Sequence, residues 1–338
     1  MKSILRFLAL TVAAAMLVVL TNCSQATTTG DASNSSPTNN SSPAATSANN
    51  PTSGKKPINI NTAILSELDK LEAKLGIPAL SNKIQASRPY GNPEELVSKK
   101  VITQEQFDKI QDMVTIQEVT LTGEAKDVDY MTKLGLMKGH LLVAKELLDL
   151  QLPKQAEPHI GHPVEEIYVD VADQLNERKV PEFKNTLISL QDLVKSNPKD
   201  AKVATNFDQS MQAVDQAIQV LSESERQSPQ FVLQVINGLL DSANSEYQAA
   251  IAKDKIAAVI EYQDSRGFVT YSDSLIGKIS EQLTKQNAEA QKAIADSMTQ
   301  LKTAWPSAKA PATPVLPTEK VTQLIKTIEQ NAQKILKS

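Results

Sequence analysis

From Val203 to Leu221 an apolar side chain recurs every three or four residues: Val203, Phe207, Met211, Val214, Ile218 and Leu221. That spacing fills one face of an α-helix and leaves the others polar, so the helix must lay its stripe against another helix to be stable. The period returns in Phe183, Leu187, Leu190 and Val194, and after Ser228-Pro229 in Val232, Val235, Ile236 and Leu239. It returns again in Ile279, Leu283, Ala290, Ile294, Met298, Leu301 and Trp305. Hydrophobic residues at 41% supply a core, while 11 glycines and 4% aromatics leave little that favours sheets. The expected fold class is all-α: a small helical domain followed by a larger antiparallel bundle over about 125–305.

One helix from Ile256 to Ala304 would run roughly 70 Å, too long for such a bundle, so a break is expected near Gly267 or Gly277. Residues 306–317 read as a Pro/Ala linker. Residues 318–338 read as a last amphipathic helix with Val321, Leu324, Ile328 and Ile335 on its face, docked on the bundle or on a partner.

The first 56 residues carry different information. Lys2 and Arg6 precede an apolar run from Phe7 to Leu20, the pattern of a secretory signal and too short for a comfortable membrane span. Leu20-Thr21-Asn22-Cys23 follows and resembles the bacterial lipobox, with Asn22 where a small residue normally stands. The resemblance implies a signal peptide over 1–22, a lipid on Cys23 and a membrane-anchored protein of the envelope or periplasm. Cys23 is the one cysteine, so no intramolecular disulfide forms. Ser24 to Lys56 is rich in Ser, Thr, Asn, Ala and Pro and reads as a tether with a reach of roughly 30 Å.

Residues 57–117 read as the small helical domain. Asn61 or Thr62 is positioned to cap a helix bearing Leu65, Leu68 and Leu71. Thr103-Gln104-Glu105-Gln106 has the form of a capping box. The strings Ile58-Asn59-Ile60-Asn61-Thr62-Ala63, Leu75-Gly76-Ile77-Pro78, Arg88-Pro89-Tyr90 and Glu94-Glu95-Leu96 resemble the helix-hairpin-helix domain of competence protein ComEA. They are also similar to the photosystem II extrinsic protein U. The resemblance implies hairpins that offer backbone N–H groups to DNA phosphates, with Gly76, Lys99 and Lys100 as the nucleic-acid candidates. Charge opposes DNA binding: seven bases face eight acids over 57–117, Pro78 has no N–H, and the second hairpin lacks glycine.

The three histidines, His140, His159 and His162, lie close together in sequence. His162 stands near Glu165 and Glu166, and Glu261 and Asp264 can face them from another helix, as in bundles that hold carboxylate–histidine sites. His162-Pro163-Val164-Glu165 also resembles the His-x-x-Glu of imelysin-like helical metal-binding proteins. The expected metal candidates are His162, Glu165, Glu166, Glu261 and Asp264, for a divalent transition metal such as iron, copper or zinc. A helical hairpin turning near His162 places His140 about 15 Å away, with Glu146 or Asp149 nearer, so a three-histidine site is not expected. Pro163 with two acids behind it is also an ordinary helix start without any metal.

The sequence carries no Gly-rich phosphate loop, nucleophile elbow or Cys-x-x-Cys, and no closed catalytic set. The expectation is a non-enzymatic binding or scaffold lipoprotein with a protein partner. Metal binding and DNA uptake are the second and third readings.

Overall fold

The computed structural model describes residues 57–118 and 120–337. Two hydrophobic cores form within it. The first gathers Ile60, Leu68, Leu71, Leu80, Ile84, Leu96 and Ile110 inside a small domain. Its helices are α1 (Leu65–Leu75), α2 (Leu80–Ala86), α3 (Glu95–Ser98) and α4 (Gln104–Asp108). A parallel pair closes its ends, β1 (Ile58–Asn59) on β2 (Val114–Thr115). The capping box at Thr103 and Gln106 forms as the sequence predicts. The expected cap at Asn61 or Thr62 does not: α1 starts after Ile64, which has no capping side chain.

The second core belongs to the larger helices: α5 (Gly123–Asp149), α6 (Pro153–His162), α7 (Tyr168–Glu177), α8 (Lys184–Ser196), α9 (Lys202–Gln219), the short α10 (Glu223–Gln227), α11 (Pro229–Ala250), α12 (Val259–Lys302) and α13 (Thr318–Leu336). The fold is all-α. Its stripes point inward as their period requires, with Leu187, Leu190, Val214, Val235, Leu239, Leu283 and Ile294 buried. A two-residue hairpin, β3 (Ile251–Ala252) against β4 (Lys255–Ile256), turns α11 into α12. Lys253 and Asp254 both take positive φ there, as such tight hairpins demand.

Two differences from the sequence expectation decide where the site lies. First, α12 does not break at Gly267 or Gly277. It folds back at Asn287, whose backbone leaves the helical region (φ −158°, ψ 92°) and whose Oδ1 accepts from Ala290 N at 3.0 Å. The two arms run antiparallel: Gln291 reaches Ser280, Lys302 pairs with Asp273, and Trp305 Nε1 donates to Ser265. Gly267 is instead a packing device. A Cβ there would lie 2.2 Å from the carbonyl oxygen of Gly139 on α5, so two glycines let these helices touch backbone to backbone.

Second, the turn after α5 lies at 150–152, where Leu152 N bonds Leu147 O and Gln151 has φ +59°. Pro153 opens α6, and the chain stays helical through a π-turn at Pro163–Ile167 into α7. Pro163 therefore does not start a helix. It sits inside one, and its missing N–H is taken up by the widened turn. Of the two places open to the last helix, on the bundle or on a partner, it takes the bundle. Tyr247 Oη donates to Leu316 O at 2.7 Å, and α13 buries Val321, Leu324, Ile325, Ile328 and Ile335. No helix among the described residues is long and apolar enough to cross a membrane. The signal segment, Cys23 and the tether lie outside the described residues.

Candidate metal centre

The turn at 150–152 sets the height of the histidines. His140 lies ten residues before Leu150, and His159 and His162 lie seven and ten after Leu152, so antiparallel α5 and α6 bring them level. The glycine crossing then carries Asp264, three residues before Gly267, against His140 beside Gly139. His140 Nδ1 and His159 Nδ1 both stand 2.7 Å from Asp264 Oδ1, and His162 Nδ1 stands 3.5 Å from Oδ2. His140, His159 and Asp264 are buried, at 1%, 0% and 3% exposure, while His162 opens partly to solvent.

The histidines have different duties. His159 Nε2 faces Gln263 Oε1 at 2.8 Å, and the Gln263 amide nitrogen is committed to Gln155 Oε1 and Ala308 O. Both nitrogens of His159 are thus engaged, and the ring holds Asp264 in place. His140 differs: its Nδ1 approaches Asp264 but off the line of a hydrogen bond, and it has no hydrogen-bond partner. Its ring is wedged edge-on against Phe268 and His162, with centroids at 5.0 and 5.2 Å.

His140, His162 and Asp264 offer one donor atom each, all within 4.8 Å of one another. Around a metal at about 2.0–2.1 Å, tetrahedral donors stand about 3.3 Å apart, so the present spacing needs only small side-chain adjustments. Two imidazoles and a carboxylate suit divalent first-row metals. The residues fit a metal: His140 and His162 converge on one buried carboxylate, and His140 Nδ1, 2.7 Å from Asp264 Oδ1, makes no well-aligned hydrogen bond to it.

Charge reinforces the geometry. Burial alone would raise Asp264, but His140 and His159 outweigh it and hold the carboxyl well below its ordinary range. Burial keeps His140 below its ordinary value. Burial opposes charge on His162 too, yet Asp264, Glu166 and Glu261 push it up to about 9. Glu166 and Glu261 are themselves raised, chiefly by burial.

Of the expected metal residues, His162 and Asp264 meet directly. Glu166 and Glu261 are half-buried and close enough to act on His162 through their charge. Glu165 is exposed, and none of Glu165, Glu166 and Glu261 is among the grouped donors. His140, excluded on the assumption of a turn at His162, belongs to the centre. Glu146 and Asp149, expected nearer, are engaged elsewhere: Glu146 grips Arg266 at 2.7 and 3.0 Å, and Asp149 pairs with Lys145. Pro153 at a first helical position is the sequence signal that marks the true turn.

The nucleic-acid candidates each have a local structural role. Gly76, at φ +65°, spends its N–H on Glu72 O to end α1. Lys99 Nζ bonds the carbonyls of Ser87 and Pro89, pairs with Glu95 at 3.2 Å and lies over the Tyr90 ring. Lys100 forms the turn itself with φ +59°.

Residues 222–338 match the model of a known family, the iron permease-associated 4-helix bundle domain. The matched span contains the short α10 and then four longer helical segments, α11, the two arms of α12, and α13, and it includes Asp264 and Glu261. The ComEA, photosystem II and imelysin resemblances are corrected by this finding: the match is to a different family and lies in the C-terminal bundle. The comparisons with curated proteins and with solved structures found no match.

Proposed function

We propose that this chain is a metal-binding protein of the cell envelope, acting by binding rather than catalysis. His140, His162 and Asp264 are its ligands, and His159 holds Asp264. The observation that carries the reading is the buried His140 Nδ1, close to a carboxylate yet without a hydrogen bond. Iron is the metal proposed, because the matched family is described by its association with an iron permease and because the N,N,O donors suit it. Copper and zinc are the competitors that the same donors accept. A membrane iron permease is the proposed partner class, and a lipid on Cys23 the proposed anchor.

The test is thermal melting with chelator and with added iron(II), copper(II) or zinc. A ligand at 100 times its Kd adds about 2.7 kcal/mol, which raises the melting temperature by roughly 5–10 °C. The expected result is such a rise with iron(II), lost on adding chelator and absent in His162→Ala. No shift with any metal, or the same shift in His162→Ala, would remove the centre.

A further inference from the structure

The N-terminus of α1 has a need that its own residues leave unmet. The residue before it is Ile64, with no side-chain oxygen for the free N–H groups of the first turn. An acceptor arrives from the bundle: Leu65 N donates to Glu166 Oε2 at 3.3 Å, across 101 residues of sequence. Glu166 lies in the π-turn that follows His162 directly. One carboxylate thus stands between a histidine of the metal centre and the end of a helix in the small domain.

α1 is also the seam between the two cores. Ile64 is buried in the core of the bundle, while Leu68 and Leu71 are buried in that of the small domain. Acids crowd the seam: Asp69 and Glu72 come from α1, and Glu166, Glu246 and Glu261 come from the bundle. Glu246 is 2% exposed, with Ser66 of α1 against it. Lys70 supplies a cation at the edge, 3.0 Å from Asp241.

We propose that a divalent cation held by His140, His162 and Asp264 takes Glu166 as a further ligand through Oε1, while Oε2 keeps the N–H of Leu65. Metal loading thereby fastens the small domain to the bundle. The inference rests on the metal-centre reading above. Ligating carboxylates are characteristically hydrogen-bonded through their other oxygen, which fixes their orientation. A dication at this place also offsets the repulsion among the acids along the seam, so loading and docking favour each other.

The experiment is amide hydrogen exchange on the full chain, with and without saturating Co2+, binding being followed in the same samples by cobalt absorption. In the wild type, loading is expected to slow exchange over residues 65–75 by about threefold or more. Glu166→Gln keeps an acceptor for Leu65 N but is a poor ligand. It is expected to bind Co2+ about tenfold more weakly and, once saturated, to show no slowing. Leu65→Pro removes the N–H, and with it a leucine side chain that packs on the small-domain core, so it is read as the loaded against the metal-free form of the same variant; proline suits the first helical position and Ile64 is already extended (φ −70°, ψ 165°). It is expected to bind Co2+ without the slowing. A wild type that binds Co2+ with unchanged exchange over 65–75, or equal slowing in Glu166→Gln, overturns the coupling alone. A wild type that shows no cobalt absorption overturns the centre itself, and the coupling with it.

Discussion

Gly267→Ala tests whether the backbone crossing of α5 and α12 builds the centre. The new Cβ would lie 2.2 Å from Gly139 O and 2.7 Å from Gly139 C, both backbone atoms that cannot rotate away. Restoring an ordinary contact requires the helices to part by about 1 Å. Overpacking of this kind costs about 1–3 kcal/mol or more, against about 1 kcal/mol gained in helix propensity. A net loss of about 1–2 kcal/mol lowers the melting temperature by roughly 2–8 °C. The same parting stretches the 2.7 Å approach of His140 to Asp264, so metal affinity is expected to fall about tenfold or more. Gly277→Ala is the control: it lies on the same arm with nothing within 4 Å of its Cβ, and is expected to stabilise by about 0.5–1 kcal/mol. Thermal melting and cobalt titration of the two variants read both effects. Equal stability and equal affinity in the two would refute the reasoning.

Other consequences can be checked separately. His159→Ala removes the ring that holds Asp264 without removing a ligand, so cobalt should still bind, about 10–100-fold more weakly. Asp69 is raised from 3.8 to about 7, chiefly by burial, so the folded chain holds its proton more tightly than the unfolded one. Its contribution to stability is complete below pH 3.8 and is lost as pH rises through about 7. Asp69→Asn is therefore expected to flatten urea-unfolding stability between pH 4 and 7 and to exceed the wild type at pH 8, by about 1 kcal/mol after allowance for solvent. Arg266→Ala strips the partner from half-buried Glu146 and a donor from Trp305 O, and should cost about 1–3 kcal/mol in chemical denaturation.

The helices were legible because an apolar stripe with a 3.6-residue period can be satisfied in few ways, and those of α8, α9 and α11 lie where their spacing put them. The Thr103 capping box was legible because its oxygen answers the Gln106 N–H three residues on, a strictly local bond. The errors share one physical source: a residue with strong local preferences was read locally where tertiary packing governs it. Gly267 looks like a weak point in a helix, yet it is the place where two backbones meet. Pro163 looks like a helix start, yet a π-turn absorbs it. Asn287 carries little local signal, and the fold-back there depends on the arms packing together, as Lys302 on Asp273 shows. Misplacing the turn from 150–152 to His162 moved His140 out of the centre. Asp264 was legible as a candidate ligand, but its position among three histidines depends on the crossing of α5 and α12.

Whether His140 and its neighbours hold a metal is decided by cobalt titration of the wild type, His140→Ala and Glu165→Ala, followed by absorption and equilibrium dialysis. One tightly held ion per chain is expected in the wild type and in Glu165→Ala, and its loss in His140→Ala. Undiminished binding in His140→Ala would contradict it.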